Sequence, residues 1–139
     1  MHIEITGGTK LLRQQIESVA RFSADMLMSK RLQKNLWLEF ELTRELYKSE
    51  GNLGDVMWND RNHSPRDYSI RIDITVPRRR ILESVCHEMV HVKHPLPNYW
   101  DRPWKIEAHG REVGLFIRWA EKHGLAKQSW THDYLDKYE

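Results

Sequence analysis

A single cysteine, Cys86, leaves this chain no partner for an internal disulfide, which matches a reducing compartment. Long apolar runs are missing as well. No stretch approaches the about 18 residues that a membrane-spanning helix needs. The first residues lack the basic-then-apolar layout of a secretory signal, so the expectation is a cytoplasmic protein with no membrane contact. One sign of charge barely outweighs the other: 22 Lys and Arg against 20 Asp and Glu give a net charge of +2, too little to infer nucleic-acid binding from charge alone. There is no internal repeat and no low-complexity tract. What remains is ordinary in a useful way. Apolar residues make up 40% of the 139 and charged residues 30%, and six tryptophans argue against disorder, so the reading is one small domain spanning residues 1–139.

Against that background one stretch carries chemistry: His87, Glu88, Met89, Val90 and His91 in succession. Residues four apart on a helix lie on one face, one turn above each other, so the two imidazoles can share a divalent metal. A glutamate beside the first histidine reaches a metal-bound water and can take its proton. This is the H-E-x-x-H order of zinc hydrolases. Five letters recur by chance, and the flanks decide. Residues 68–76 alternate strictly between apolar and polar and stop at Pro77, which predicts a half-buried strand. Ile81, Leu82, Val85, Cys86, Met89 and Val90 then recur at helical spacing. Ser84, His87, Glu88 and His91 form the complementary polar stripe, placed where a cleft would be, and Cys86 reads as a small core residue. The helix should end near His94, because Pro95 and Pro97 cannot continue it; His94 reads as solvated or as a neighbour of the site.

Zinc requires a third protein ligand and keeps a fourth position open. Asp101, Arg102, Pro103 and Trp104 read as a helix start, with Asp101 as the cap, and that helix offers Glu107 and His109. These two stand about 200° apart around a helix, so only one can face the metal. The face of Glu107 continues through Gly110 and Gly114, small residues that would admit a close approach to the motif helix; the face of His109 continues through Val113, Phe116 and Ala120. On that argument Glu107 is the ligand and His109 a buried neighbour, with His109 as the alternative third ligand.

These residues also resemble known families. The motif followed by His109, Gly110, Arg111, Glu112 and Val113 is similar to the SprT-like zinc metallopeptidases, whose pattern is HExxH and then a histidine–glycine pair with an acidic and an apolar residue downstream. That resemblance implies His109 as third ligand. Residues 103–108 are similar to a Pro-Trp-Glu-Ile-Glu-Ala segment of small zincin-like proteins of phages and bacteria, departing from it at Lys105, and the glutamate–alanine pair resembles the third-ligand helix of ImmA/IrrE-type peptidases, which implies Glu107. The SprT-type zinc ribbon is lacking, since Cys86 is the only cysteine. The resemblance covers residues 68–124. It implies a minimal zincin-like fold, Zn²⁺ as cofactor, a protein or peptide as substrate, and the host cytoplasm or a virion as location if the chain is phage-encoded.

Elsewhere the pattern predicts a strand at residues 2–6 closed by Gly7 and Gly8, one long helix over 9–31, a strand over 36–42, a turn-rich segment around Gly51, a strand at 55–58 and a hairpin-like loop at 60–65. The order is that of an α+β domain in which a small mixed or antiparallel sheet backs the HExxH helix and a third-ligand helix. Residues 54–58 or 68–76 could bind an extended peptide by edge pairing. The expected function is a zinc-dependent metallopeptidase in which His87, His91 and Glu107 (or His109) hold the metal and Glu88 is general base and then general acid. Tyr99, His123, His132 and Tyr134 are unranked donors for the oxyanion. The alternative is a zinc-stabilised binding or virion-associated protein with weak turnover. Arg78, Arg79 and Arg80, at the helix N-terminus where positive charge is unfavourable, read as a solvated cluster or as a contact for nucleic acid or an acidic protein. The aromatic-rich residues 130–138 are expected to fold over the cleft or dock on the body.

Overall fold

The computed structural model describes residues 1–59, 66–93 and 110–132 in full, and residues 102–109 as the backbone of a helix. The expected hairpin-like loop at 60–65, and with it His94, Tyr99, Asp101 and Tyr134, lies outside the described residues.

Strand β1 (His2–Thr6) leads through Gly7 and Gly8 into helix α1 (Lys10–Leu27). Gly7 has φ +92°, and a Cβ there would stand 2.7 Å from the carbonyl oxygen of Leu42, so the turn requires glycine. Thr9 caps α1, its hydroxyl accepting from Leu12 N at 3.1 Å. The single long helix expected over 9–31 is in fact two. The chain leaves the helix at Met28, and Ser29 caps a second short helix, α2 (Lys30–Gln33), its hydroxyl accepting from Leu32 N. A serine that can bond the backbone ahead of it restarts a helix as readily as it continues one. Strand β2 (Trp37–Thr43) follows, then a short helix α3 (Leu46–Glu50) just before the turn-rich segment expected around Gly51, then β3 (Gly54–Trp58) and β4 (Asp67–Asp73).

The four strands form one mixed sheet in the order β1-β2-β4-β3, with β1 and β4 parallel to β2 and β3 antiparallel to β4. Ile3, Ile5, Leu38, Phe40, Leu42, Tyr68, Ile70, Ile72 and Val56 turn to the face covered by helices. The opposite face carries His2, Glu4, Glu39, Glu41, Ser69 and Arg71. This is the period-2 pattern of a sheet with one covered side. β4 ends three residues earlier than the alternation predicts. The buried carboxylate of Asp73 accepts from Thr75 N at 2.8 Å, from the Thr75 hydroxyl and from Tyr47 N at 2.7 Å. That Asx turn bends the chain out of the strand toward Pro77 and the next helix.

Helix α4 (Arg78–Lys93) packs against α1, β3 and β4, and helix α5 (Arg102–Lys122) lies along α4. A 3-10 helix (Ser129–His132) returns to the start of α4. The fold is α+β, with a small mixed sheet and five α-helices among the described residues.

Candidate metal centre

The motif helix α4 is covered nearly all round, so that Arg79, Glu83, Ser84, Glu88 and His91 are buried along with its apolar residues. The expected polar stripe therefore does not face an open cleft. Ser84, Glu88 and His91 are 3%, 4% and 6% exposed, and only His87 among the four is half-buried. Ser84 spends its hydroxyl on the carbonyl of Arg80, 2.9 Å away in the preceding turn, and takes no part in the site.

His87 and His91 converge. Their Nε2 atoms stand 3.3 Å apart and their ring planes are inclined by 64°. Two nitrogens bound at about 2.0–2.1 Å to one tetrahedral zinc stand about 3.3–3.4 Å apart, so the pair fits two corners of such a site. In the metal-free chain the same separation suits a hydrogen bond between the two rings. Among the described residues no third histidine, cysteine, aspartate or glutamate joins them into a metal-holding group. The side chains of Glu107 and His109, the two expected third ligands, lie outside the described residues.

The far side of His87 is held from α5. Nδ1 of His87 donates to Oε2 of Glu112 at 3.1 Å, and Oε1 of Glu112 accepts from Arg80 Nη1 at 3.2 Å. Burial works against the charge of Glu112, but the hydrogen bond from His87 and the positive charge of Arg80 outweigh it and hold the carboxyl below the usual carboxylate range. Glu88 is in the opposite situation. Burial pushes it up to about 7, with Asp55 and Glu112 adding to the shift and His87 opposing it. Its Oε2 is buried and makes no hydrogen bond among the described residues.

Gly54, the first residue of β3, lets Glu88 sit where it does. A Cβ at Gly54 would meet Glu88 Cγ and Arg71 O at 3.2 Å and Ile72 Cδ1 at 3.3 Å. The next residue, Asp55, is paired with Arg71, whose Nε donates to Oδ1 at 2.9 Å; Arg71 also meets Glu50 at 3.2 Å. These two acids raise the Arg71 pKa further above its already high value.

The arginine cluster is not a solvated patch. Arg79 is buried, meets Glu83 at 3.3 Å and donates to the carbonyl of Thr131 at 2.9 Å. Arg80 reaches Glu83 at 3.5 Å as well as Glu112, and Arg78 stacks over the Trp130 ring at 4.3 Å. Two of the three helix-terminal arginines thus meet acidic side chains inside the fold. Burial pushes Glu83 above the usual range in spite of its two arginines. All three guanidinium groups meet partners within the chain.

Two expected oxyanion donors fall away from the motif. His123 bonds the carbonyl of Trp119 and the hydroxyl of Ser18, eleven residues beyond Glu112, or about 16 Å along the helix. His132 bonds the carbonyl of Ala126 beside the first turn of α4, at the opposite end from His91. Sequence reasoning assigned Glu112 no role beyond its place in the SprT-like pattern, Arg80 none beyond the arginine cluster, and Gly54 none beyond a turn. A further sign for Glu112 is its spacing to apolar Leu115 and Phe116, which puts it on a stripe destined for the interior.

The close approach expected through Gly110 and Gly114 is not seen: both are exposed, and a Cβ at either would meet nothing within 4 Å among the described residues. The buried stripe of α5 is Glu112, Leu115, Phe116, Trp119 and Ala120. Comparison with protein-family models, with curated proteins and with solved structures found no match for this chain.

Proposed function

We propose that this chain is a small zincin-like, zinc-dependent metallopeptidase acting on a protein or peptide. The observation that carries this reading is the convergence of His87 and His91 Nε2 at 3.3 Å beside a buried Glu88 carboxylate oxygen with no hydrogen-bond partner among the described residues. Bound zinc would supply Lewis acidity and a water made acidic enough to lose a proton near neutrality. The rest is the work of the chain. His87 and His91 present Nε2 lone pairs, Glu88 accepts a proton from the attacking water at Oε2, and the same carboxyl returns it to the leaving amine. Burial, which lifts the affinity of Glu88 for a proton, suits it to both halves of that transfer.

For the third ligand, the helix period counted back from Glu112 favours position 109, about 60° from Glu112 on the side that carries Phe116 and Ala120. Position 107 falls about 140° away, with Gly110, Arg111 and Gly114. His109 is therefore preferred here to Glu107. The substrate strand is proposed to add to β3. β4 is paired on both sides, by β2 and β3, whereas β3 is the outermost strand and begins at Gly54 against Glu88.

Zinc content tests the metal reading. The purified chain should hold one zinc per molecule, His87→Ala and His91→Ala should hold none, and His109→Ala should lose it while Glu107→Ala keeps it. Loss in Glu107→Ala with retention in His109→Ala would restore Glu107. A wild-type chain that binds no zinc would defeat the proposal.

A further inference from the structure

We propose that Glu112 and Arg80 are positioning residues that lock the tautomer of His87, and so decide whether its Nε2 can serve as a ligand. The inference rests on the metal reading only for its consequence; the lock itself is a property of the metal-free chain. Neutral imidazole carries its proton on one nitrogen, and the partner of the other nitrogen decides which. A carboxylate oxygen only accepts. Glu112 Oε2, 3.1 Å from His87 Nδ1, therefore requires the proton at Nδ1 and leaves a lone pair on Nε2, facing His91 Nε2 3.3 Å away.

Arg80 makes the arrangement directional. It offers only donors, and it meets Glu112 Oε1 at 3.2 Å, so each carboxylate oxygen has its own partner. Arg80 also meets Glu83, which pairs with Arg79, so Glu112 belongs to a cluster of two guanidinium groups and two carboxyl groups. The lock is built across two helices: Arg80 and His87 stand on α4, two turns apart, and Glu112 enters from α5. An outer carboxylate on a ligating histidine is a common means of raising ligand quality, and its loss weakens metal binding about 10- to 100-fold.

The geometry makes Glu112→Gln a sharp test. Arg80 can only donate, so the amide must turn its carbonyl to Arg80 and its NH₂ to His87 Nδ1. Nδ1 then becomes the acceptor, and the proton moves to Nε2, where it blocks the lone pair. Ring ¹⁵N chemical shifts of His87 in the metal-free protein read this directly. Wild type should show the Nδ1–H form and Glu112→Gln the Nε2–H form, with zinc affinity, measured by chelator competition, falling about 10- to 100-fold. Removing the donor in an Arg80→Met, Glu112→Gln double variant frees the amide to turn back, and should restore the Nδ1–H form and most of the affinity. A merely structural role for Glu112 would lower Tm in these variants without moving the tautomer. An Nε2–H form in wild type overturns the proposal even if no variant folds, as does an unchanged tautomer in Glu112→Gln. Should wild type bind no zinc, the metal reading fails while the ¹⁵N shifts still decide the lock.

Discussion

Glu88 and Glu112 flank the same histidine, and their surroundings treat them in opposite ways. Glu112 has a donor for each oxygen and is held ionised; Glu88 has a buried oxygen with no such partner among the described residues and a raised proton affinity. On the proposed mechanism, carboxylates separated in this way divide into one that orients and one that moves protons. Gly54 belongs to the second. Gly54→Ala places a methyl 3.2 Å from Glu88 Cγ, which must give way by a few tenths of an ångström. The expected result is an about tenfold lower kcat on a casein substrate with zinc content unchanged, read from initial rates and metal analysis on the same preparation. Cys86 is fully buried, and its burial pushes the thiol up to about 12. It should not react with a thiol reagent in the native protein and should react fully in denaturant, which Ellman titration checks directly.

At the scale of elements, alternation made β1 and β2 legible, because one face of each strand is covered and the other is not. The motif helix was legible from its apolar spacing and the prolines around it, although most of its polar stripe proved to be buried as well. What the pattern does not carry is competition between local and distant bonds. Ser29 can cap or continue a helix, and only its bond to Leu32 N selects the cap. Asp73 looks like one more polar strand residue until Tyr47, 26 positions away in the chain, supplies the third of its hydrogen bonds. Asp73→Ala would leave the backbone donors of Tyr47 and Thr75 without that acceptor. A loss of about 2 kcal/mol or more in denaturant-measured stability is expected. The opposite sign applies on α5. Gly110 and Gly114 face open space in a helix interior, so Gly110→Ala and Gly114→Ala should each raise stability by about 0.5–1 kcal/mol in the same assay.

For the whole molecule, the role of Glu112 could not be read from the sequence because it depends on packing between two helices whose contacting residues lie 25 positions apart. The same holds for the chain after α5. Trp130 stacks on Arg78 and packs against Phe116, and the Thr131 carbonyl takes the buried guanidinium of Arg79, so this segment is fastened to the start of the motif helix. The aromatic-rich segment thus docks on the body up to His132, and the rest of it lies outside the described residues. Arg79→Met breaks the Glu83 pair, whose members are 6% and 8% exposed as side chains, and frees that segment. Stability should fall by about 3–5 kcal/mol, with early cleavage near residue 130 in limited proteolysis. Zinc should act in the reverse sense, adding about 2.7 kcal/mol at a free concentration 100 times Kd, an increment absent from His87→Ala.

The most direct test of a hydrolytic centre at His87, Glu88 and His91 is a comparison of wild type with Glu88→Gln at equal, measured zinc content on unfolded β-casein. Gln keeps the shape and leaves both histidines in place, but cannot take the proton of water. The expected outcome is one zinc per chain in both proteins and cleavage at least about 100-fold slower in the variant. Equal cleavage rates, or no cleavage by a zinc-loaded wild type, would contradict it.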